Sequence, residues 1–155
     1  MPLAQTRRFG ALEYEDESIL TFPHALPGFD GCTRFTLVER REYSPIVFLQ
    51  SLDKWDLCFF AAPISAIDSS YDPAVSPEDL ERLGGPEISR SDLLFLALLC
   101  APENGPLTAN LLAPVVVNVP LRVAVQAVRS DFRYSHRHPI QPSPVSPPVP
   151  VELAC

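Results

Sequence analysis

Glycine is scarce in this chain of 155 residues, and its scarcity limits the chemistry that the chain can perform. The six glycines never occur in a G-x-G arrangement, so a backbone loop that cradles nucleotide phosphates would be hard to build. The sequence also lacks a nucleophile elbow and any paired metal-ligand motif. These absences make an enzyme the weaker hypothesis and favour a binding protein.

Long apolar runs are missing as well, although 46% of the residues are hydrophobic. No segment reaches the roughly eighteen uninterrupted apolar residues that a membrane helix requires. The first ten residues, MPLAQTRRFG, have no apolar core after their charges, so they do not predict a signal peptide. We therefore expect a cytoplasmic protein with no membrane segment.

Close cysteine pairs and basic residues are both in short supply. The four cysteines (Cys32, Cys58, Cys100 and Cys155) form no C-x-x-C pair, which argues against structural zinc and fits thiols in a reducing compartment. Twelve basic residues against nineteen acidic ones give a net charge of −7. This balance disfavours direct binding of nucleic acid, which needs a cationic surface, and suits a partner that carries basic residues.

Proline, in contrast, is abundant. The chain contains 18 prolines, which favour short strands and loops over long helices. Apolar residues recur in short segments separated by turn signals, a pattern typical of an antiparallel sandwich or barrel. The predicted strands are residues 9–14, 18–22, 35–39, 46–51, 57–62, 92–100, 110–118 and 121–128. The first two are predicted to form a hairpin with residues 15–17 as its acidic tip, and Pro27-Gly28 predicts a type II turn.

Two of these segments need a closer argument. Residues 92–100 form a continuous apolar run whose leucines would suit a helix, but the strand-rich surroundings favour a central strand. Residues 110–118 contain three consecutive valines, which favour the extended backbone. Pro114 cannot donate to a ladder, so it should mark a strand start, an edge or a bulge. Val119-Pro120 then predicts a turn between two adjacent strands.

One short helix is predicted near residues 77–83, inside an acidic segment with six acids and one arginine between residues 68 and 87. Ser76 can cap this helix, Pro77 suits its first position and Gly84 can end it. Leu80 and Leu83 would face inward.

These elements together predict a mostly β fold: a small antiparallel β-barrel-like single domain over residues 1–140. From Pro139 onward prolines crowd the sequence and periodicity is lost. Residues 141–155 are therefore predicted to form a flexible proline-rich tail.

Two groups of residues offer chemistry that must be weighed. His136 and His138 are two residues apart and could share a metal on one side of a strand, but no acidic or cysteine ligand stands nearby in the sequence. Ser51, with Asp53 or Asp56 and a late histidine, could form a hydrolytic set, although nothing local raises this above chance. We predict no catalytic, cofactor-binding or metal-binding residues.

Five short motifs occur in a recognisable order. They are residues 22–30 (FPHALPGFD), 49–53 (LQSLD) with Asp56-Leu57 following, 71–84 (with YDP and EDLERLG), 110–118 (NLLAPVVVN) and 134–139 (YSHRHP). Together they resemble the flagellar assembly factor FliW family over roughly residues 6 to 140. The sequence departs from the family pattern at His24 and at Lys54-Trp55, where acids are more usual, so the affinity for partners and the choice of partner stay open.

The resemblance implies a barrel-like domain without catalytic activity or cofactor. Members of the family bind flagellin in the cytoplasm and also bind the translational regulator CsrA, and this capture relieves the repression of flagellin translation. For this chain the resemblance implies flagellin and CsrA as partners; we also expect a monomer. Two alternatives remain open: an export chaperone or adaptor for another secreted subunit, and a small hydrolase.

Seven residues are predicted to bind a partner. Buried amides need several hydrogen-bond partners, which favours turns or interfaces for the asparagines and the glutamine. Tryptophan is enriched at binding hot spots, and one lies on a predicted turn. The predicted positions are Gln50, Ser51, Trp55, Asn110, Pro114, Asn118 and Tyr134.

Overall fold

The computed structural model describes residues 2–85, 87–102 and 105–140. Within these ranges the chain forms eleven β-strands and one α-helix. The strands are β1 (Leu3–Thr6), β2 (Gly10–Glu13), β3 (Ile19–Thr21), β4 (Arg34–Glu39), β5 (Val47–Ser51), β6 (Cys58–Pro63), β7 (Leu93–Cys100), β8 (Thr108–Ala109), β9 (Val115–Asn118), β10 (Val123–Gln126) and β11 (His138–Pro139), and the helix is α1 (Pro77–Arg82). None of the helices in these ranges is long and apolar enough to cross a membrane.

Seven strands close into a barrel. In the order β7, β6, β5, β4, β3, β10 and β9, each strand pairs with the next, and β9 pairs back with β7. This confirms the predicted mostly β, barrel-like fold with one short helix. An odd number of strands cannot alternate in direction all the way around a closed ring, so one neighbouring pair has to be parallel. That pair is β3 with β10, through Thr21 and Val123, whereas the six other pairs are antiparallel.

The barrel interior is filled by one apolar cluster to which all seven strands contribute. Alternate residues along each strand point to the same face, so every second side chain faces inward. Phe35, Leu49 and Val115 are completely buried there, and the rings of Phe22 and Phe35 meet edge to face at 5.2 Å. A packed interior of this kind fixes the positions of the strand ends and of the turns that they carry.

Parts of the outer surface of the barrel are buried too. The N-terminal hairpin and several loops cover β5, β6 and β7, where Phe48, Phe60 and Leu99 form a second cluster with Leu12 and Leu111. Helix α1 covers β9 and β10 with a third cluster around Leu83 and Val116. Strands buried on both faces have continuous apolar sequences instead of alternating ones. This explains why residues 92–100, now confirmed as a central strand, looked ambiguous.

The predicted helix is confirmed, together with its local signals. Ser76 is the N-cap, and its Oγ accepts a hydrogen bond from the N–H of Asp79 at 3.1 Å. Pro77 occupies the first position, where a missing N–H costs nothing. Gly84 and Gly85 end the helix with φ values of +128° and +111°. Leu83 is completely buried, as expected from its inward position.

The predicted hairpin between residues 9–14 and 18–22 is wrong. Strand β2 pairs with β1, which was not predicted as a strand, and β3 pairs with β4 and β10. The turn of the actual hairpin is closed by Thr6, whose Oγ1 donates to the carbonyl of Gly10 at 2.9 Å and accepts from the N–H of Phe9. Segment 3–6 contains a single β-branched residue, so its sequence gives little strand signal.

Two strands begin clearly later than predicted. Asn110 Oδ1 accepts hydrogen bonds from the N–H groups of Leu112 and Ala113, so the segment before Pro114 is a turn and the strand begins just after that proline. The other strand starts at Val123 because Arg122, with φ +57°, completes the turn after Asn118. The predicted turns at Val119-Pro120 and at Pro27-Gly28 are both present, and Gly28 has the positive φ of +88° that a type II turn requires. The predicted tail, 141–155, lies outside the described residues.

Candidate partner-binding site

The seven predicted positions do not form one site. Gln50, Ser51 and Trp55 lie where β5 ends. Asn110, Pro114 and Tyr134 lie around the loop that precedes β9. Asn118 lies beneath α1.

Gln50 is completely buried at the end of β5. Its Nε2 donates to the backbone carbonyls of Ser51 at 3.0 Å, Trp55 at 3.2 Å and Leu57 at 3.1 Å. Three acceptors around one nitrogen fix the orientation of the amide, because the amide oxygen would be repelled in that position. The Oε1 oxygen is buried and has no hydrogen-bond partner among the described residues. An unsatisfied buried acceptor is uncommon in a native fold, and a ligand, an ordered water or local strain can account for it.

The turn after β5 is held by its own polar side chains. Ser51 Oγ accepts hydrogen bonds from the N–H groups of Asp53 and Lys54. The carboxylate of Asp53 accepts from the backbone of Thr33 and Arg34 and pairs with the Arg34 guanidinium at 3.1 Å. Burial raises the pKa of Asp53, but these hydrogen bonds outweigh it and the pKa lies below its ordinary value. Ser51 and Asp53 of the hydrolase alternative thus stabilise a turn, and neither is hydrogen-bonded to a histidine in the described part of the chain.

Trp55 stands on this turn with 60% of its surface exposed. Its backbone is nonetheless fixed, because its carbonyl accepts from Gln50 Nε2 and from the N–H of Arg7 at 3.0 Å. Arg7 belongs to the turn between β1 and β2, so the N-terminal hairpin brings two arginines against the end of β5. Between them lies a cleft of about 280 Å³, which we call the Gln50 cleft; it is lined by Arg7, Arg8, Gln50, Asp56 and Cys58.

The Gln50 cleft holds charge and a thiol but no activated nucleophile. The Arg8 guanidinium lies 4.6 Å from the centre of the Phe60 ring, which supports it by a cation–π contact. Burial raises the pKa of Cys58 to about 11, and the nearby Arg8 offsets only part of that effect. The thiol is therefore protonated at neutral pH, and a protonated thiol is a poor nucleophile and a poor metal ligand. The cleft is suited to binding.

Arg7 and Arg8 were not among the predicted site residues. The only local signal was a pair of arginines in an acidic protein, close to the N-terminus. Their role depends on a contact with a turn almost fifty positions further along the chain, which no local pattern encodes.

The second group surrounds a buried arginine. The Arg129 side chain is 1% exposed and pairs with Asp131 at 2.6 Å. It also donates to the Tyr71 hydroxyl and to the carbonyl of Asp72. The rings of Tyr71 and Tyr134 lie 4.4 Å apart, and the guanidinium is 4.8 Å from the centre of the Tyr134 ring. The Arg129 hydrogen bonds hold the pKa of Asp131 at about 2.

This cluster joins three of the sequence motifs. The Tyr71 hydroxyl donates to the carbonyl of Leu111 at 2.9 Å, and the N–H of Leu111 donates to the carbonyl of Ser135 at 3.0 Å. Asn110 turns the chain just before Leu111, and Pro114 is buried. The Tyr134 hydroxyl accepts a hydrogen bond from the Asp72 backbone. The motifs around Tyr71, Asn110 and Tyr134 thus support one another structurally.

Asn118 has a bridging position. Its Nδ2 donates to the carbonyl of Leu83, at the end of α1, at 2.8 Å, and its Oδ1 accepts from the N–H of Leu121 at 3.3 Å. The residue is only 4% exposed. It links the helix to the turn between β9 and β10, and its predicted role towards a partner stays a prediction.

His136 and His138 do not belong to a cluster of metal-binding side chains in the described part of the chain. His138 lies on β11 and His136 in the turn before it. Among the residues that the structure describes, no three His, Cys, Asp or Glu side chains are placed to hold a metal ion together.

Comparison with known proteins gives a consistent result. The family model described as FliW protein matches residues 3–140. The flagellar assembly factor FliW of Thermotoga maritima is 34% identical over 133 residues, covering 84% of this chain and 88% of that protein. The one of Leptospira interrogans serovar copenhageni is 30% identical and covers 88% of this chain and 91% of its own length.

A solved structure supports the same assignment. The crystal structure of a flagellar assembly factor FliW superposes with a TM-score of 0.81 and 26% identity, covering 92% of this chain and 99% of that one. Sequence and fold therefore agree, and the chain belongs to the FliW family of flagellar assembly factors.

Proposed function

We propose that this chain acts in the cytoplasm as a non-catalytic binding protein that holds flagellin and captures CsrA in competition with it. Free flagellin would occupy the protein, and its export would release the protein to bind CsrA and relieve repression of flagellin translation. Membership of a flagellar assembly family supports this role.

The observation that carries the proposal is the rigid presentation of Trp55. Exposed tryptophans that anchor an interface contribute most when their position is fixed before binding. Here the backbone carbonyl of Trp55 is held by both Gln50 and Arg7, while the side chain is 60% exposed. The turn therefore offers a large apolar side chain to a partner at a small entropic cost.

A competition experiment tests the exchange directly. Flagellin from the same organism is titrated into a preformed complex of this chain with CsrA, and the CsrA that remains bound is measured. We expect a progressive loss of bound CsrA as flagellin rises. Binding of flagellin without any binding of CsrA would contradict the exchange and would favour an export chaperone.

A substitution tests the site. Trp55→Ala should weaken binding of at least one partner by roughly ten-fold or more, as for a hot-spot tryptophan. Phe132→Ala is the matched control, because Phe132 is an aromatic residue with 79% exposure on a different loop. Equal affinities for the two variants would exclude Trp55 as an anchor.

A further inference from the structure

We propose that the Gln50 cleft is a receptor for an acidic side chain of a protein partner. Arg7 and Arg8 would hold the carboxylate, and a backbone N–H of the partner beside it would donate to Gln50 Oε1. The inference rests on the proposed function only in taking the ligand to be a protein, and it deepens that function by naming the chemistry recognised next to Trp55.

The Gln50 amide is held in one orientation. Its Nε2 is committed to the carbonyls of Ser51, Trp55 and Leu57, so the amide cannot rotate without placing its oxygen against three acceptors. Gln50 lines the cleft, and its Oε1 is held as a buried acceptor that has no hydrogen-bond donor among the described residues. A ligand that supplies an N–H or an O–H at this point would satisfy that acceptor.

The charge of the cleft is opposite to that of the chain as a whole. Two guanidinium groups and one carboxylate, that of Asp56, line the cleft in a chain whose net charge is −7. Guanidinium groups bind carboxylates in a paired geometry that a single ammonium does not offer. Arg7 is exposed, and its side chain forms no hydrogen bond or ion pair within the described residues, so it is available to a ligand.

The size and chemistry of the cleft disfavour other classes of ligand. At about 280 Å³ the cleft is smaller than the sites that usually hold cofactors or drug-sized molecules, and it suits a single side chain with its backbone. A nucleic-acid phosphate is disfavoured because the rest of the surface is acidic. Cys58 remains a thiol in the presence of Arg8, so the cleft offers no thiolate to a metal.

The fluorescence of Trp55 can report binding, since Trp55 is the only tryptophan of the chain and lies beside the cleft. The intact protein is titrated with short acetylated and amidated peptides Gly-Glu-Gly, Gly-Gln-Gly and Gly-Lys-Gly while Trp55 fluorescence is recorded. We expect a saturable change with the glutamate peptide and at least roughly ten-fold weaker binding of the other two, as for the loss of a charge-assisted pair.

Variants locate the binding in the cleft. Arg7→Ala should lower the affinity for the glutamate peptide by roughly five-fold or more. Asp56→Asn should raise that affinity, because the substitution removes a charge that repels the carboxylate. Arg137→Ala is the control, an exposed arginine on the turn before β11. Arg7 and Asp56 are chosen because both are exposed, whereas a change at the buried Gln50 would also disturb the fold.

Four results would overturn the inference. The first is no saturable binding of the glutamate peptide, the second is equal binding of all three peptides, and the third is no response to Arg7→Ala. The fourth is tighter binding of acetyl-Gly-Gly-Gly with a free terminal carboxylate, which would assign the cleft to the end of a partner chain. None of these measurements uses flagellin or CsrA, so failure of the inference and failure of the proposed function are distinguishable.

Discussion

At the scale of single residues, a few buried polar side chains decide how the loops of this protein are arranged. Arg129 is the clearest case, because its guanidinium contacts Asp131, the Tyr71 hydroxyl and the Asp72 carbonyl at once. A planar fork of five donors can serve several acceptors in this way, which a lysine cannot. This cation and the tilted pair of tyrosine rings help to fix the loop that carries Tyr134 to the rest of the molecule.

The pKa of Asp131 makes this contact visible in the pH dependence of stability. Arg129 lowers that pKa from its ordinary 3.8 to about 2 in the folded protein. A carboxyl whose pKa is lowered by folding stabilises the fold above its unfolded pKa, and this contribution is lost as the pH falls towards the folded value. The difference in melting temperature between the wild type and Asp131→Asn should therefore be largest near pH 7 and shrink between about pH 4 and pH 2.

Circular dichroism melting curves across this pH range provide the measurement. Asp30→Asn is the control, since Asp30 is exposed and makes no side-chain hydrogen bond or ion pair within the described residues. If the difference in melting temperature between the wild type and Asp131→Asn stays constant from neutral to acid pH, the ion pair with Arg129 contributes nothing to the stability of the fold.

Residue chemistry was predictable where it is local. Trp55 was placed on an exposed polar turn, and its side chain is exposed. Pro114 was expected to mark a strand start, an edge or a bulge because it cannot donate to a ladder, and β9 begins directly after it. The cleft beside Trp55 was not predictable, since Arg7 reaches it only through the hairpin of β1 with β2 and a backbone contact to the Trp55 carbonyl. The burial of Gln50 Oε1 without a hydrogen-bond partner among the described residues depends on the same tertiary arrangement, so it was not predictable either.

At the scale of elements, helix α1 and strand β7 were predicted from opposite kinds of signal. The helix has a capping residue, an initial proline and a terminal glycine within nine positions, so local sequence defines it. Strand β7 has no such signals and owes its conformation to pairing with β6, β8 and β9. The hairpin of β1 with β2 was missed for the same reason, because pairing partners are chosen by tertiary structure.

The end of α1 offers a prediction about packing. Gly84 and Gly85 both have positive φ, but a Cβ at Gly84 would lie 3.0 Å from Leu121 Cδ1, whereas one at Gly85 would meet nothing within 4 Å. Alanine at either position should cost at least about 1 kcal/mol, because the backbone conformation disfavours a side chain.

Gly84→Ala should be the more destabilising of the two, since it also pushes against the turn between β9 and β10. Denaturant unfolding of both variants provides the comparison, and Gly85→Ala serves as the matched control for backbone strain. Equal losses would mean that the turn yields freely and that α1 is not packed tightly against it.

At the scale of the whole molecule, the distribution of charge separates two modes of recognition. The surface as a whole is acidic, with a net charge of −7, and the segment around α1 exposes Glu78, Glu81 and Glu87. The Gln50 cleft has the opposite character because two arginines line it. An RNA-binding protein needs a cationic surface, so under the proposed function the acidic exterior would attract CsrA, while the cleft would accept an acidic segment of a partner.

This separation predicts that the association with CsrA is steered by the field of the entire molecule. Long-range attraction between opposite charges raises the association rate and is screened by salt, whereas dissociation depends mainly on close contacts. Raising the salt concentration from about 50 mM to about 500 mM, a shift that reduces the Debye length several-fold, should slow association with CsrA by roughly ten-fold or more. The dissociation rate should change much less.

Paired variants show whether the effect is global. Glu78→Gln with Glu81→Gln removes two charges from α1, and Glu15→Gln with Glu17→Gln removes two from the turn before β3, where both side chains are exposed. Steering by the whole field predicts that both pairs slow association at low salt to a similar extent, measured by surface-immobilised CsrA in flow. A loss confined to one pair would instead locate a direct contact there, and an association rate independent of salt would exclude electrostatic steering altogether.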